Sequence, residues 1–183
     1  MAENPLPPAA RAGPIEQVER VFGHIAATRM ADLPLNNPAL RVEAVGFRLW
    51  QGDWLGVLVT PWAISLMLLP GETGAFRELE AGERQCWRFP SGSYDFMGGC
   101  EATLGPYQLC SLFSPAFEFA THEAACATAH AALDTLLKPA AAAEREKQRE
   151  QARLAGVSVL EQVASETGSR RDFLRGSFLR GNS

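Results

Sequence analysis

The spacing of apolar residues divides the chain into a helix, a run of strands and a second helix. From Pro14 to Met30 the apolar positions recur at three- and four-residue steps, which predicts an amphipathic helix. Between residues 42 and 113, alternating and continuous apolar segments are separated by turns that contain Gly and Pro, as expected for strands. An Ala-rich segment from Thr121 to Leu137, stopped by Pro139, predicts the second helix.

This order of elements predicts an α+β domain, with a mostly antiparallel sheet and both helices packed on one face of it. We expect a flexible tail over residues 1–13, the α+β domain over 14–138, and a solvated helix or linker with a basic tail over 139–183. The predicted strands are Val42–Trp50, Trp54–Thr60, Ile64–Leu69, Cys86–Phe89, Ser93–Met97 and Tyr107–Phe113.

Composition and charge narrow the classes of function. Hydrophobic residues make up 46% of the 183, enough for a buried core, and a net charge of −4 argues against nucleic-acid binding. The N-terminal segment lacks the apolar run of a secretory signal. The uncharged segment Trp54–Gly71 contains Pro61 near its middle, so we expect no membrane span and a cytoplasmic protein.

Residues that often carry chemistry form no recognisable catalytic or metal-binding set. His122, Cys126 and His130 recur every four residues on the second predicted helix. A rise of 1.5 Å per residue places the two histidines about 12 Å apart, too far for one zinc ion, so core packing is the better interpretation. We therefore predict no enzyme activity, no cofactor and no metal. The cysteines have no CxxC spacing and are expected to be reduced thiols: Cys86, Cys100, Cys110 and Cys126.

Two features point to protein binding. The Thr-Pro-Trp sequence ending at Trp62 lies at a strand corner, where the ring either closes one end of the sheet or stays partly exposed as a binding hot spot. Near the C-terminus, the string Ser-Arg-Arg-Asp-Phe-Leu-Arg has the form of a twin-arginine export motif, although only eight residues follow it. A disordered basic tail is the alternative interpretation. The residues of this motif are Ser169, Arg170, Arg171, Phe173, Leu174 and Arg175.

Several short motifs appear in the order and spacing of one family. They are Gly-Asp-Trp-Leu-Gly from Gly52, Thr-Pro-Trp-Ala-Ile-Ser from Thr60, Leu-Pro-Gly from Leu69, Phe-Pro-Ser-Gly from Phe89, and Leu-Cys-Ser-Leu-Phe-Ser-Pro from Leu109. From Val18 to Leu137, and again in its arginine-rich tail, the chain resembles the HybE-type nickel–iron hydrogenase maturation chaperones.

The resemblance implies a cytoplasmic assembly factor without catalysis. Such a factor holds the hydrogenase small-subunit precursor, in part through its twin-arginine signal peptide, until the cofactors are in place. The large subunit and other maturation factors are further candidate partners. Some relatives carry a fused rubredoxin with paired CxxC ligands, and because this chain has none, iron binding does not carry over.

We hypothesise that the apolar part of a signal peptide binds around Thr60, Pro61 and Trp62, while an acidic residue pairs with its arginines. The candidate acids are Asp53, Glu72 and Asp95, and the partner-binding candidates are Trp54, Thr60, Pro61, Trp62, Pro70 and Gly71. The tail then has three alternative roles: it occupies the same pocket, docks another factor, or is inert. A thiol-based redox or oxygen-protective protein is the alternative function.

Overall fold

A computed structural model describes residues 14–139 as two helices and one six-stranded sheet. The elements are α1 Ile15–Ala27, β1 Glu43–Trp50, β2 Asp53–Val59, β3 Ile64–Leu69, β4 Arg84–Phe89, β5 Gly92–Glu101, β6 Gly105–Phe113 and α2 His122–Leu137. The strands lie in the order β1-β2-β3-β6-β5-β4, and every neighbouring pair is antiparallel. The α+β class and the antiparallel sheet are thereby confirmed. The twin-arginine-like string from Ser169 to Arg175 lies outside the described residues.

Both helices begin where the sequence predicts. Pro14 precedes the first residue of α1, where its missing N–H costs no hydrogen bond. Thr121 caps α2, since its Oγ1 accepts a hydrogen bond from the Ala124 amide at 3.2 Å. Each helix buries one stripe of apolar side chains, including Phe22 on α1 and Leu133 on α2.

The two helices cover opposite faces of the sheet, which corrects the expectation that they share one. Leu58 on β2 and Met67 on β3 pack with α1, whereas their strand neighbours Val57 and Leu66 pack in the cluster that includes α2. Successive side chains of a strand point to opposite faces, so these central strands need apolar residues at every position. All six residues of β3 are buried accordingly.

The far half of the sheet is covered on one face only. Along β4, Arg84, Cys86 and Arg88 are exposed, while the alternate residues Trp87 and Phe89 are buried. This alternation is typical of an antiparallel sheet with one solvated face. Among the residues the structure describes, neither helix is long and apolar enough to cross a membrane.

Candidate functional site

The predicted binding residues separate into two groups at opposite ends of β2. Trp54 is the second residue of β2 and pairs with Leu69 of β3, so it lies next to Pro70 and Gly71. Five residues of extended strand, a length of about 17 Å, separate Trp54 from the β2–β3 turn. We call the surface formed by Trp54, Pro70, Gly71 and Glu72 the Trp54 end, and that formed by Thr60, Pro61 and Trp62 the Trp62 end.

The Trp54 end contains two neighbouring cavities that share three residues. Their volumes are about 370 and 400 Å³, and both are lined by Trp54, Pro70 and Glu72. The first cavity is also bordered by Leu49, a leucine that is 53% exposed, and the second by Gln17 of α1. The Trp54 end therefore combines apolar walls with an exposed carboxylate.

Asp53 holds the loop that lines the first cavity. Its side chain is buried and accepts hydrogen bonds from the Gly71 amide at 2.9 Å and the Phe76 amide at 3.0 Å. The loop also approaches the β1–β2 turn closely, because a Cβ on Gly71 would lie 1.7 Å from the Gly52 carbonyl oxygen. Asp53 is thus a structural residue, which corrects the hypothesis that it pairs with a partner's arginine.

The other two candidate acids lie in different parts of the molecule. Glu72 is exposed and borders both cavities beside Trp54. Asp95 is exposed on β5, opposite Cys86 of β4, in the half of the sheet away from Trp54. Of these two acids, Glu72 therefore lies beside a predicted binding residue and Asp95 does not.

The Trp62 end is a tight turn fixed by its own hydrogen bonds. Thr60 is buried, and its Oγ1 donates to the Ala63 carbonyl at 2.7 Å and accepts from the Ala63 amide at 3.0 Å. Trp62 is half-buried against the cluster that contains α1. Pro61 and part of the Trp62 ring are at the surface and can contact a partner, whereas Thr60 stabilises the turn.

Asn37, which the sequence analysis missed, ties three segments together at the Trp62 end. Its amide donates to the Pro61 carbonyl at 2.7 Å, and its side-chain Nδ2 donates to the carbonyls of Ala116 and Phe119 at 2.9 and 2.8 Å. Two neighbouring side chains are exposed apolar residues: Leu35 at 45% and Phe117 at 55%. These side-chain hydrogen bonds link Asn37 to residues that lie 79 and 82 positions further along the chain, and no local sequence pattern predicts such contacts.

A second polar cluster joins α2 to the start of β1. His122 Nε2 lies 2.8 Å from Glu43 Oε2 and 3.3 Å from Cys126 Sγ. The His122 hydrogen bond lowers the pKa of Glu43 below its usual value, and burial raises the pKa of the Cys126 thiol to about 11. The spacing of His122 and Cys126 was visible in the sequence, but Glu43 was not anticipated because it lies 79 residues from His122.

The four thiols differ in their access to solvent. Cys110 is buried, and the raised pKa of Cys126 keeps that thiol protonated at neutral pH. Cys86 and Cys100 are exposed on β4 and β5. Redox chemistry by a solvent-accessible thiol would therefore have to use Cys86 or Cys100.

Comparisons with known proteins agree with the motifs. Residues 13–176 match the family described as nickel–iron (NiFe) hydrogenase assembly, chaperone, HybE. The hydrogenase expression/formation protein HupJ of Bradyrhizobium diazoefficiens is 38% identical over 156 residues, which cover 85% of this chain and 83% of HupJ. The protein HoxT of Cupriavidus necator is 40% identical over 153 residues, covering 73% of this chain and 84% of HoxT.

A solved structure shares the fold. The solution structure of HybE from Escherichia coli superimposes with a TM-score of 0.50 at 23% identity, covering 86% of this chain and 91% of that one. At this level of identity the likeness concerns the arrangement of helices and strands.

Proposed function

The chain belongs to the HybE family of nickel–iron hydrogenase assembly chaperones, and on that premise we propose that it binds the precursor of a hydrogenase small subunit in the cytoplasm. Binding includes the twin-arginine signal peptide of that subunit and delays export or assembly until the cofactors are in place. The protein acts by binding, and its large-subunit or other maturation partners would join the same complex.

One observation carries this proposal: two neighbouring cavities are both lined by Trp54, Pro70 and Glu72. A twin-arginine peptide presents two guanidinium groups followed by apolar residues. A guanidinium pairs with a carboxylate such as Glu72 in a fork geometry, and it stacks on an indole such as Trp54. Two adjacent cavities of similar size offer one place for each of two neighbouring side chains.

The rigidity of the Trp54 end favours binding. The Asp53 carboxylate fixes the Gly71 and Phe76 amides, so the loop that carries Glu72 is ordered before a peptide arrives. A surface ordered in advance loses less conformational entropy when it binds. The same hydrogen bonds therefore contribute to affinity without touching the peptide.

The Trp62 end provides a second contact for the apolar part of the peptide. Trp54 and Trp62 both pack against the cluster that contains α1, so they lie on the same face of the sheet. The straight distance between the two ends is ~17 Å, but α1 covers Leu58 between them, so a peptide that contacts both ends has to pass around α1 and needs more than about six extended residues. We propose that the arginines bind at the Trp54 end and that the apolar segment reaches Pro61, Trp62 and the exposed Phe117.

Replacing Glu72 by glutamine is expected to weaken binding of a labelled signal peptide about tenfold, because the fork pairing loses its charge. Fluorescence anisotropy with a hydrogenase small-subunit signal peptide measures this, with a twin-lysine peptide as the specificity control. The matched control variant is Glu78→Gln, since Glu78 is an exposed acid in the same loop outside both cavities. An equal loss of peptide affinity in both variants would mean that the arginines respond only to the overall charge of the protein. Unchanged affinity in both variants would mean that the arginines do not bind at Glu72.

The C-terminal tail supplies a second test of the same site. Because the string from Ser169 to Arg175 resembles the ligand, we propose that it competes for the Trp54 end. A tethered competitor acts at an effective concentration of about millimolar, so if the tail binds the site with a Kd of about 0.25 mM, a 1–168 truncation should bind the peptide about fivefold more tightly. Identical affinities of the truncated and full-length proteins would leave the tail as a docking segment or an inert one.

The thiol-based alternative rests on the exposure of Cys86 and Cys100. A double variant with serine at both positions separates the two functions. Unchanged peptide binding together with unchanged hydrogenase maturation in air supports the chaperone, whereas loss of maturation only in air supports a protective thiol.

A further inference from the structure

The cluster at the start of α2 carries an inference that is independent of peptide binding. We propose that Glu43, His122 and Cys126 form a binding site for one divalent transition-metal ion of borderline softness, with Zn²⁺ as the representative ion. The site joins β1 to α2 on the face of the sheet opposite α1, away from the Trp54 end.

The geometry already brings three ligand atoms together. His122 and Cys126 lie one helical turn apart, and Glu43 approaches from β1, so that one oxygen, one nitrogen and one sulfur atom all lie within 4.8 Å of one another. In a tetrahedral zinc site with bonds of about 2.0 to 2.3 Å, ligand atoms are separated by about 3.3 to 3.6 Å. The distance of 2.8 Å from Nε2 to Oε2 has to open by about 0.5 Å and that of 3.3 Å from Nε2 to Sγ by up to about 0.3 Å, while the Glu43 oxygen and the Cys126 sulfur, which lie within 4.8 Å of each other, have to approach by about 1 Å at most.

The donor set determines the class of ion. Imidazole and thiolate favour zinc, cobalt or nickel over calcium and magnesium, which prefer oxygen ligands. A glutamate such as Glu43 is ordinarily ionised at neutral pH, so it can bind a cation without losing a proton. The Cys126 thiol must release its proton to solvent when the metal–sulfur bond forms. Three protein ligands leave a fourth position open for water or for a group from a partner.

Two contacts of Arg41 limit the affinity. Its amide lies 3.4 Å from His122 Nδ1, which places the imidazole proton on Nε2, and metal binding requires that proton to move to Nδ1. Its guanidinium lies 3.3 Å from Glu43 Oε2 and repels a cation. Arg41 precedes β1, and its side chain is 66% exposed, so both contacts can open at moderate cost. We therefore expect an affinity in the micromolar range rather than that of a closed structural zinc site.

The test is titration of the full-length protein with Co²⁺, followed by displacement with Zn²⁺. We expect one ion per chain, the visible bands of a tetrahedral ion and a thiolate-to-cobalt charge-transfer band. Cys126→Ser should abolish the charge-transfer band, and Glu43→Gln should weaken binding at least tenfold. Arg41→Gln should tighten binding about threefold, because a competing cation is removed while the backbone contact is unchanged. Circular dichroism checks that each variant is folded.

Matched controls on the same protein are His130→Asn and Cys86→Ser. His130 lies on α2 two turns beyond His122, and Cys86 is an exposed thiol on β4. Both variants should bind Co²⁺ as the unmodified protein does. A charge-transfer band that survives Cys126→Ser or disappears in Cys86→Ser would overturn the assignment, as would weaker binding by Arg41→Gln. The Glu72→Gln variant should leave metal binding unchanged, so failure of the peptide proposal and failure of the metal proposal are distinguishable.

Discussion

Replacing Asn37 by aspartate is expected to lower the free energy of unfolding by about 4 kcal/mol, although the two side chains have the same shape. Asn37 is 6% exposed, and its Nδ2 donates to the carbonyls of Ala116 and Phe119. A carboxylate in its place removes both donors and places a buried negative charge against two carbonyl oxygens. Urea denaturation monitored by circular dichroism measures the loss.

The pH dependence of this variant has a defined sign. In the folded state the new carboxyl is favoured in its neutral form, so its pKa is raised above the unfolded value of about 3.9. The destabilisation of Asn37→Asp is therefore full above the folded-state pKa and shrinks as the pH falls toward the unfolded value. Asn37→Ala loses the donors without adding charge, and its smaller loss of about 2 kcal/mol should vary little with pH.

A matched control for the added charge is Gln51→Glu. Gln51 is exposed in the β1–β2 turn, and its substitution should change the free energy of unfolding by less than about 0.5 kcal/mol. If Asn37→Asp were as stable as this control, Asn37 would not be what holds the three segments of the Trp62 end together.

Local sequence patterns predicted a strand correctly where a turn motif ends the same apolar segment that is buried in the structure. The predicted strand Ile64–Leu69 coincides with β3, because Pro70-Gly71 ends the apolar run. The predicted strand Ser93–Met97 is too short, since Gly98 and Gly99 continue β5. A Cβ on Gly98 would lie 2.5 Å from Leu79, and one on Gly99 would lie 2.6 Å from the Tyr107 ring. These glycines admit neighbouring side chains to the strand, a role that a single sequence does not distinguish from a turn.

The placement of the two helices on opposite faces of the sheet could have been inferred from the sequence but was not. The continuous apolar run of β3 already indicates a strand buried on both faces, and such a strand requires cover on each side. The order helix, strands, helix was interpreted only as a fold class, which leaves the faces undetermined.

Only part of the candidate site was predicted from the sequence, because its residues come from segments that are distant along the chain. Trp54, Pro70 and Gly71 were chosen together, and the pairing of β2 with β3 does bring them together. Asp53 was a candidate for pairing with a partner's arginine, whereas here it accepts hydrogen bonds from amides 18 and 23 residues away. Such long-range hydrogen bonds leave no periodic signal, so they cannot be separated from surface acids by pattern alone.

Replacing Asp53 by alanine should lower the free energy of unfolding by about 3 kcal/mol and also weaken binding of the signal peptide. The buried carboxylate accepts from the Gly71 and Phe76 amides, and alanine leaves both donors without an acceptor. The loop that carries Glu72 then loses its fixed position beside Trp54. Urea denaturation measures the first effect, and anisotropy at a temperature where the variant is folded measures the second.

Two further variants separate the effect on folding stability from the effect on peptide binding at the Trp54 end. Asp134→Ala is the control, because Asp134 is an exposed acid on α2 whose contact with Arg48 at 3.5 Å contributes less than about 1 kcal/mol. Gly71→Ala perturbs the same loop while keeping the Asp53 carboxylate in the chain, since its Cβ would meet the Gly52 carbonyl oxygen at 1.7 Å. If the position of the loop sets affinity, Asp53→Ala and Gly71→Ala should both weaken peptide binding while Asp134→Ala does not. Wild-type affinity in a destabilised Asp53→Ala protein would show that the peptide does not depend on the Trp54 end, and the arginine site would then have to lie elsewhere on the molecule.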